Sequence, residues 1–152
     1  LVKSAFGIVL CILLSPVILI VVSLWLLWTF CLYLVVWTLW CTRGRDILFV
    51  YSDSPIWHDY IEEHIIPRIK DRAVILNWSE RRKWLNRLSL SSLLFRHFGG
   101  YREFNPMALY FRPFRRRLRF SFWEAFRDWK HGKSQKLNLL ESDFFKAIKI
   151  QG

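Results

Sequence analysis

The chain has 152 residues and a formal charge of +11, and the two halves of that description do not overlap: all twelve acidic residues and 22 of the 23 lysines and arginines follow Cys41. The three cysteines, Cys11, Cys31 and Cys41, lie in or at the edge of the apolar run before that point, so residues 43–152 hold no thiol. That excludes an internal disulfide, dithiol exchange and a cysteine zinc site in the charged part, and its roughly 110 residues suffice for one compact domain but not two.

Ser4 to Thr42 is a run of 39 residues without a charged side chain. A charge at the centre of a bilayer costs about 2.5–3.5 kcal/mol, so a run that avoids every charge suits lipid, and residues 1–42 are expected to form a transmembrane anchor. The run is too long, and its end at Leu39-Trp40-Cys41-Thr42 too bulky, for a cleaved signal peptide. About 36 apolar residues as a single helix would reach ~54 Å, against a hydrocarbon core about 30 Å thick. Two arrangements accommodate the excess. In one, Pro16 breaks or kinks the helix near Ser15, leaving a tilted span from Pro16 to Trp37 and a bent or shallow piece over Ala5–Leu14. In the other, a helical hairpin turns near Ser23. Arg43 and Arg45 follow the run directly, and basic residues collect on the cytoplasmic flank of a span. The expected location is therefore the inner or cytoplasmic membrane, with the C-terminal domain on the cytoplasmic side. Trp37 and Trp40 fall where an interfacial aromatic belt belongs. Trp25 and Trp28 lie deeper, three apart on one helix face, and suit packing on a partner helix, contact with a pigment, quinone or lipid, or plain lipid-facing bulk. No other cofactor is expected, and no metal.

In the charged part, Ile47–Tyr51 reads as a buried strand. Ser54 and Pro55 then suit the cap and first position of a helix, which runs to about Lys70 with Trp57, Ile61, Ile65 and Ile69 as its stripe and Pro67 kinking its end. Ala73–Leu76 is a second buried strand. Ser79-Glu80-Arg81-Arg82 starts a less regular helical region that Gly99-Gly100 stops. Met107–Phe111 is a third strand, Arg112-Pro113-Phe114-Arg115 a turn, and Leu118, Phe120 and Phe122, alternating with Arg117, Arg119 and Ser121, a fourth strand. A final helix follows Lys133, with Leu137, Leu140, Phe144 and Ile148 on one face. The order is βαβαββα. The first two strands should be parallel and the last two antiparallel, which makes a mixed four-stranded sheet in an α/β domain.

That order, a proline late in the first helix (Pro67) and a proline just before the third strand (Pro106) resemble the thioredoxin-like fold over about residues 46–150. The resemblance implies that Pro106 lines a groove and that a Cys-x-x-Cys opens the first helix. Here Ser54-Pro55-Ile56-Trp57-His58-Asp59-Tyr60-Ile61-Glu62 stands in that place, so the fold would be kept without its thiol chemistry. Asp59, Glu62 and Pro106 would then mark a degenerate groove.

Other candidate sites are weaker. Asp59, Glu62 and Glu63 beside His58 suit acid–base work or a metal, but equally a solvated helix face. His58, His64, His97 and His131 lack metal-ligand spacing. Ser52-Asp53-Ser54-Pro55 has the place of an anion site without its glycines. The densest charge cluster is Arg112, Arg115, Arg116, Arg117 and Arg119, interleaved with Phe114, Phe120 and Trp123. Such a surface fits anionic lipid or an acidic protein partner; a membrane anchor argues against nucleic acid. With no catalytic constellation, the expectation is a non-catalytic accessory or scaffold subunit stabilising a larger membrane complex, respiratory or photosynthetic in the most specific version. Its partners would be membrane lipids and the transmembrane and cytoplasmic surfaces of that complex. The alternatives are a divergent thioredoxin-like enzyme or peptide-binding module, and an anionic-lipid or nucleic-acid binding module.

Overall fold

The computed structural model describes residues 2–100 and 105–149, with the backbone alone for residues 2–14. The chain divides into two compact units, Leu1–Val35 and Val36–Gly152.

Helix α1 (Val2–Leu39) is continuous. Pro16 lies inside it, and so does Ser23, so neither the break near Ser15 nor the hairpin turn interrupts it. A proline costs the helix one hydrogen bond, whereas unwinding there would free several backbone groups at once. Ser15–Arg43 is long and apolar enough to cross a membrane, the one such stretch among the described residues. A 3-10 turn, Cys41–Arg43, ends the run, with Gly44 at φ +71°.

The charged part is a mixed α/β domain built on a four-stranded sheet of β1 (Ile47–Tyr51), β2 (Ala73–Asn77), β3 (Met107–Tyr110) and β4 (Leu118–Ser121), in the order β2-β1-β3-β4. Strand β1 pairs parallel with β2 and antiparallel with β3, which pairs antiparallel with β4. Both central strands are buried along their whole length, β1 as Ile-Leu-Phe-Val-Tyr and β3 as Met-Ala-Leu-Tyr. Such a strand needs apolar residues at every position because both of its faces are covered. β4 is an edge strand in which Arg119 is exposed and Leu118, Phe120 and Ser121 are half-buried, so the expected alternation is only partial: Ser121 does not share the wet face of Arg119.

One face of the sheet presents Ile47, Phe49 and Tyr51 to the main core, where Ile61, Ile65, Ile69, Phe126, Leu137, Phe144 and Ile148 meet them. The first of these helical segments departs from expectation. Residues 55–57 form a turn, and the helix opens only at α2 (His58–Tyr60), widens to a π turn (Ile61–Ile65) and closes as α3 (Ile66–Ile69). Pro67 explains the wide turn: its ring would crowd the carbonyl four residues back, and an i→i+5 turn makes room. Ser54 accordingly caps the preceding turn, its carbonyl accepting the N–H groups of Trp57 and His58.

Between β2 and β3 come α4 (Arg81–Trp84), α5 (Leu90–Leu94) and a π turn (Phe95–Gly99), whose Phe98 ring lies edge-on to Phe111 with centroids 5.8 Å apart. Ser89 caps α5 by accepting from the Ser92 N–H, and the fully buried Ser92 hydroxyl donates to the Trp84 carbonyl at 2.6 Å. Gly99 has no room for a side chain, since a Cβ would sit 2.8 Å from the Phe95 ring. Two helices close the fold, α6 (Trp123–Lys130) and α7 (Gln135–Ala147). α7 buries the expected face, Leu137, Phe144 and Ile148, with Leu140 packed beside it. α6 is unanticipated, although Phe122, Phe126 and Trp129 carry helical spacing.

Candidate functional site

The parallel pairing of β1 and β2 sets Tyr51 opposite Asn77, so the segments leaving the two strands run side by side. Asn77 accepts from the Ser79 N–H through its side-chain oxygen and donates to Asp53 at 2.6 Å. The Asp53 N–H donates to the Ser79 hydroxyl at 3.0 Å, and His58 Nδ1 lies 3.7 Å from the Asp53 carboxylate. Beside them the Tyr51 hydroxyl donates to Glu62, and the His58 ring stacks near the Tyr51 ring, centroids 6.1 Å apart. Burial first, and then Glu62, push the Tyr51 phenol well above its usual range. The Trp57 indole N–H donates to the Ser52 carbonyl at 3.1 Å. Residues that sequence reasoning separated into a capping segment and an acidic helix face thus form one polar cluster at the C-terminal ends of two parallel strands. The available signal was the pair of polar exits, Ser52-Asp53-Ser54 and Asn77-Trp78-Ser79, each directly after an apolar run.

Of the expected groove residues, Asp59 is exposed, Glu62 is engaged by Tyr51, and Pro106 is buried after a cis Asn105–Pro106 peptide. Glu63 is exposed. His64 stacks on Tyr60 with centroids 4.5 Å apart, His97 lies edge-on to Phe98, and His131 is exposed. Burial, followed by the Arg117 charge, lowers the pKa of His97. Among the described residues no group of three His, Cys, Asp or Glu is placed to hold a metal ion.

The arginines of the cluster differ in what they touch. Arg112 donates to the Arg116 carbonyl at 3.0 Å across the β3–β4 turn, and Arg115 and Arg116 are exposed on that turn around Phe114. Arg117 turns back over the Phe98 ring at 4.4 Å, and the Arg119 guanidinium lies against Gly100. Trp123 stands apart at the start of α6 under Arg127, 5.0 Å from the ring centre. A separate recess of about 320 Å³ is lined by Trp78, Arg81, Leu85, Asn86, Phe95 and Arg96, with aromatic walls and two guanidinium groups.

In the apolar helix Trp25 and Trp28 are exposed, whereas Trp37 and Trp40 are half-buried, Trp37 with its ring 5.1 Å from Phe114. Cys31 and Cys41 are free thiols, and the Cys11 side chain lies outside the described residues.

No family model, curated protein or solved structure matches this chain. Its geometry defines a class in physical terms: a mixed α/β domain on a four-stranded sheet, preceded by one long apolar helix.

Proposed function

We propose that this chain is a membrane-anchored accessory subunit that holds a larger membrane assembly together by docking rather than by catalysis. The observation that carries the reading is the surface of α1. Fourteen residues, Val17 to Phe30, present Val17, Ile18, Leu19, Ile20, Leu24, Trp25, Leu27 and Phe30 with about half or more of each side chain uncovered. Monomeric soluble proteins rarely expose contiguous apolar patches of this kind, and a helix that is apolar all round needs lipid or other helices around it. Its amphipathic tryptophans and the arginines that follow, Arg43 and Arg45, suit a span whose charged end faces the cytoplasm.

A thioredoxin-like scaffold accompanies this reading. The strand order β2-β1-β3-β4, the parallel β1/β2 pair and the antiparallel β3 and β4 support it. Where that family opens its first helix with cysteines, this chain spends Asp53, Trp57, His58 and Glu62 on contacts with one another, with the Ser52 carbonyl and with Tyr51. Side chains held in this way serve a rigid docking body.

The test is extraction of the full chain from its native membrane. It should resist washing at high salt and alkaline pH, require detergent, and then migrate with other polypeptides well above its own 18.5 kDa. Release without detergent sinks the anchor; a lone chain in mild detergent sinks the accessory role.

A further inference from the structure

The β3–β4 turn holds an arrangement that the sheet does not need. Phe114 is 85% exposed, and its φ of +56° puts a bulky residue where glycine or asparagine is the ordinary choice. The ring therefore contributes nothing obvious to turning the chain and buries little of itself. Its aromatic neighbour is the Trp37 indole, 5.1 Å away. Trp37 stands where the apolar run gives way to charge: Trp40, Arg43 and Arg45 come next, and both arginines are exposed. The turn is braced by its own polar groups, with the Arg115 N–H donating to the Arg112 carbonyl at 3.2 Å and Arg112 donating to the Arg116 carbonyl. Arg115 and Arg116, the two residues that follow the ring, are exposed. Among the described residues neither has a carboxylate within ion-pair distance.

We infer that this turn is a lipid-facing wedge: Phe114 enters the interfacial layer of the bilayer beside Trp37, while Arg115 and Arg116, with Arg43 and Arg45, bind the phosphate groups of anionic lipids. An aromatic ring at headgroup depth keeps its apolar body out of water, and guanidinium groups match phosphate with paired donors. Attraction to an anionic leaflet acts only within about a Debye length, which a turn in contact with Trp37 satisfies and the distant arginines of the chain do not need to. The inference rests on the anchor reading. It assigns Arg117 and Arg119 no part, since one covers Phe98 and the other lies against Gly100.

The test uses the full chain with Cys11, Cys31 and Cys41 replaced by serine and a single cysteine introduced for a fluorescent label, in place of Pro113, Leu24 or Leu88. The probe is a vesicle of phosphatidylcholine with or without phosphatidylglycerol, carrying a nitroxide quencher on the lipid. With phosphatidylglycerol, the label at 113 should be quenched about twofold or more beyond that at Leu88, and this excess should fall about twofold or more on Phe114→Ser or on the pair Arg115→Gln and Arg116→Gln. Quenching at 24 without excess at 113 overturns the wedge and leaves the anchor standing. No quenching at 24 overturns both. Equal excess in neutral and anionic vesicles overturns the role given to the arginines.

Discussion

Tyr51 and Glu62 are eleven positions apart, and their hydrogen bond ties the end of β1 to the π turn. A second phenol, Tyr60, donates likewise to Glu141 of α7, and burial followed by that bond raises its pKa as well. Both shifts have the same consequence for stability. Each phenol holds its proton more tightly in the folded domain than in the unfolded chain, where tyrosine titrates near 10. Between those values the unfolded chain binds fewer protons, so stability is intact below about pH 10 and falls above it. Thermal melts of the detergent-solubilised chain from neutral to strongly alkaline pH should show this fall. The double variant Tyr51→Phe, Tyr60→Phe should lose stability at neutral pH yet show a shallower alkaline decline; an unchanged slope would remove these phenols as its cause. Little of this was legible beforehand. Sequence spacing places Glu62 on an acidic helix face because it records neighbours along a helix, whereas its partner Tyr51 comes from a strand.

At the scale of elements, the strands were the most legible part. β1 coincides with the expected 47–51, because a central strand buried on both faces must be apolar at every position. The parallel and antiparallel pairings also follow from connection length, a helix between β1 and β2 and a short turn between β3 and β4. The helices were harder. The stripe of α7 marks it plainly, but the helix expected from Pro55 begins at His58 and carries a π turn, and α6 is a helix that the expected βαβαββα order lacks. Pro55 satisfies the local requirements of a first helical position; the turn over 55–57 reflects the Trp57 bond to Ser52 and the packing of that indole beside Phe126, 6.1 Å away. Two substitutions on α7 separate buried from exposed contributions. Phe144→Ala removes a ring packed against Phe120, Phe122 and Phe145 and should cost about 3–5 kcal/mol in a denaturant titration. Leu139→Ala, at a side chain 67% exposed, should stay within about 0.5 kcal/mol. Similar losses at the two positions would contradict the placement of the core.

At the scale of the whole molecule, one apolar helix and one α/β domain carrying nearly all the charge stand as separate compact units. If α1 spans a membrane with the basic flank inward, a membrane-impermeant thiol reagent should label a cysteine placed at Leu88, in a chain whose Cys11, Cys31 and Cys41 are replaced by serine, only after the cell is opened. Labelling in intact cells would place the domain on the opposite side.

The amino-acid order alone determined the partition into an uncharged run and a thiol-free basic domain, together with the strands and their directions. Those features depend on local properties, namely the cost of charge in lipid, the apolarity of a doubly covered strand and the length of a connection. Only the tertiary structure decided that Arg115 and Arg116 stay exposed while Arg117 folds over Phe98, and that Asp53, His58, Asn77 and Ser79 meet. Both outcomes turn on which distant side chain occupies the space next to each residue, and packing between elements settles that where neighbouring letters in the chain do not.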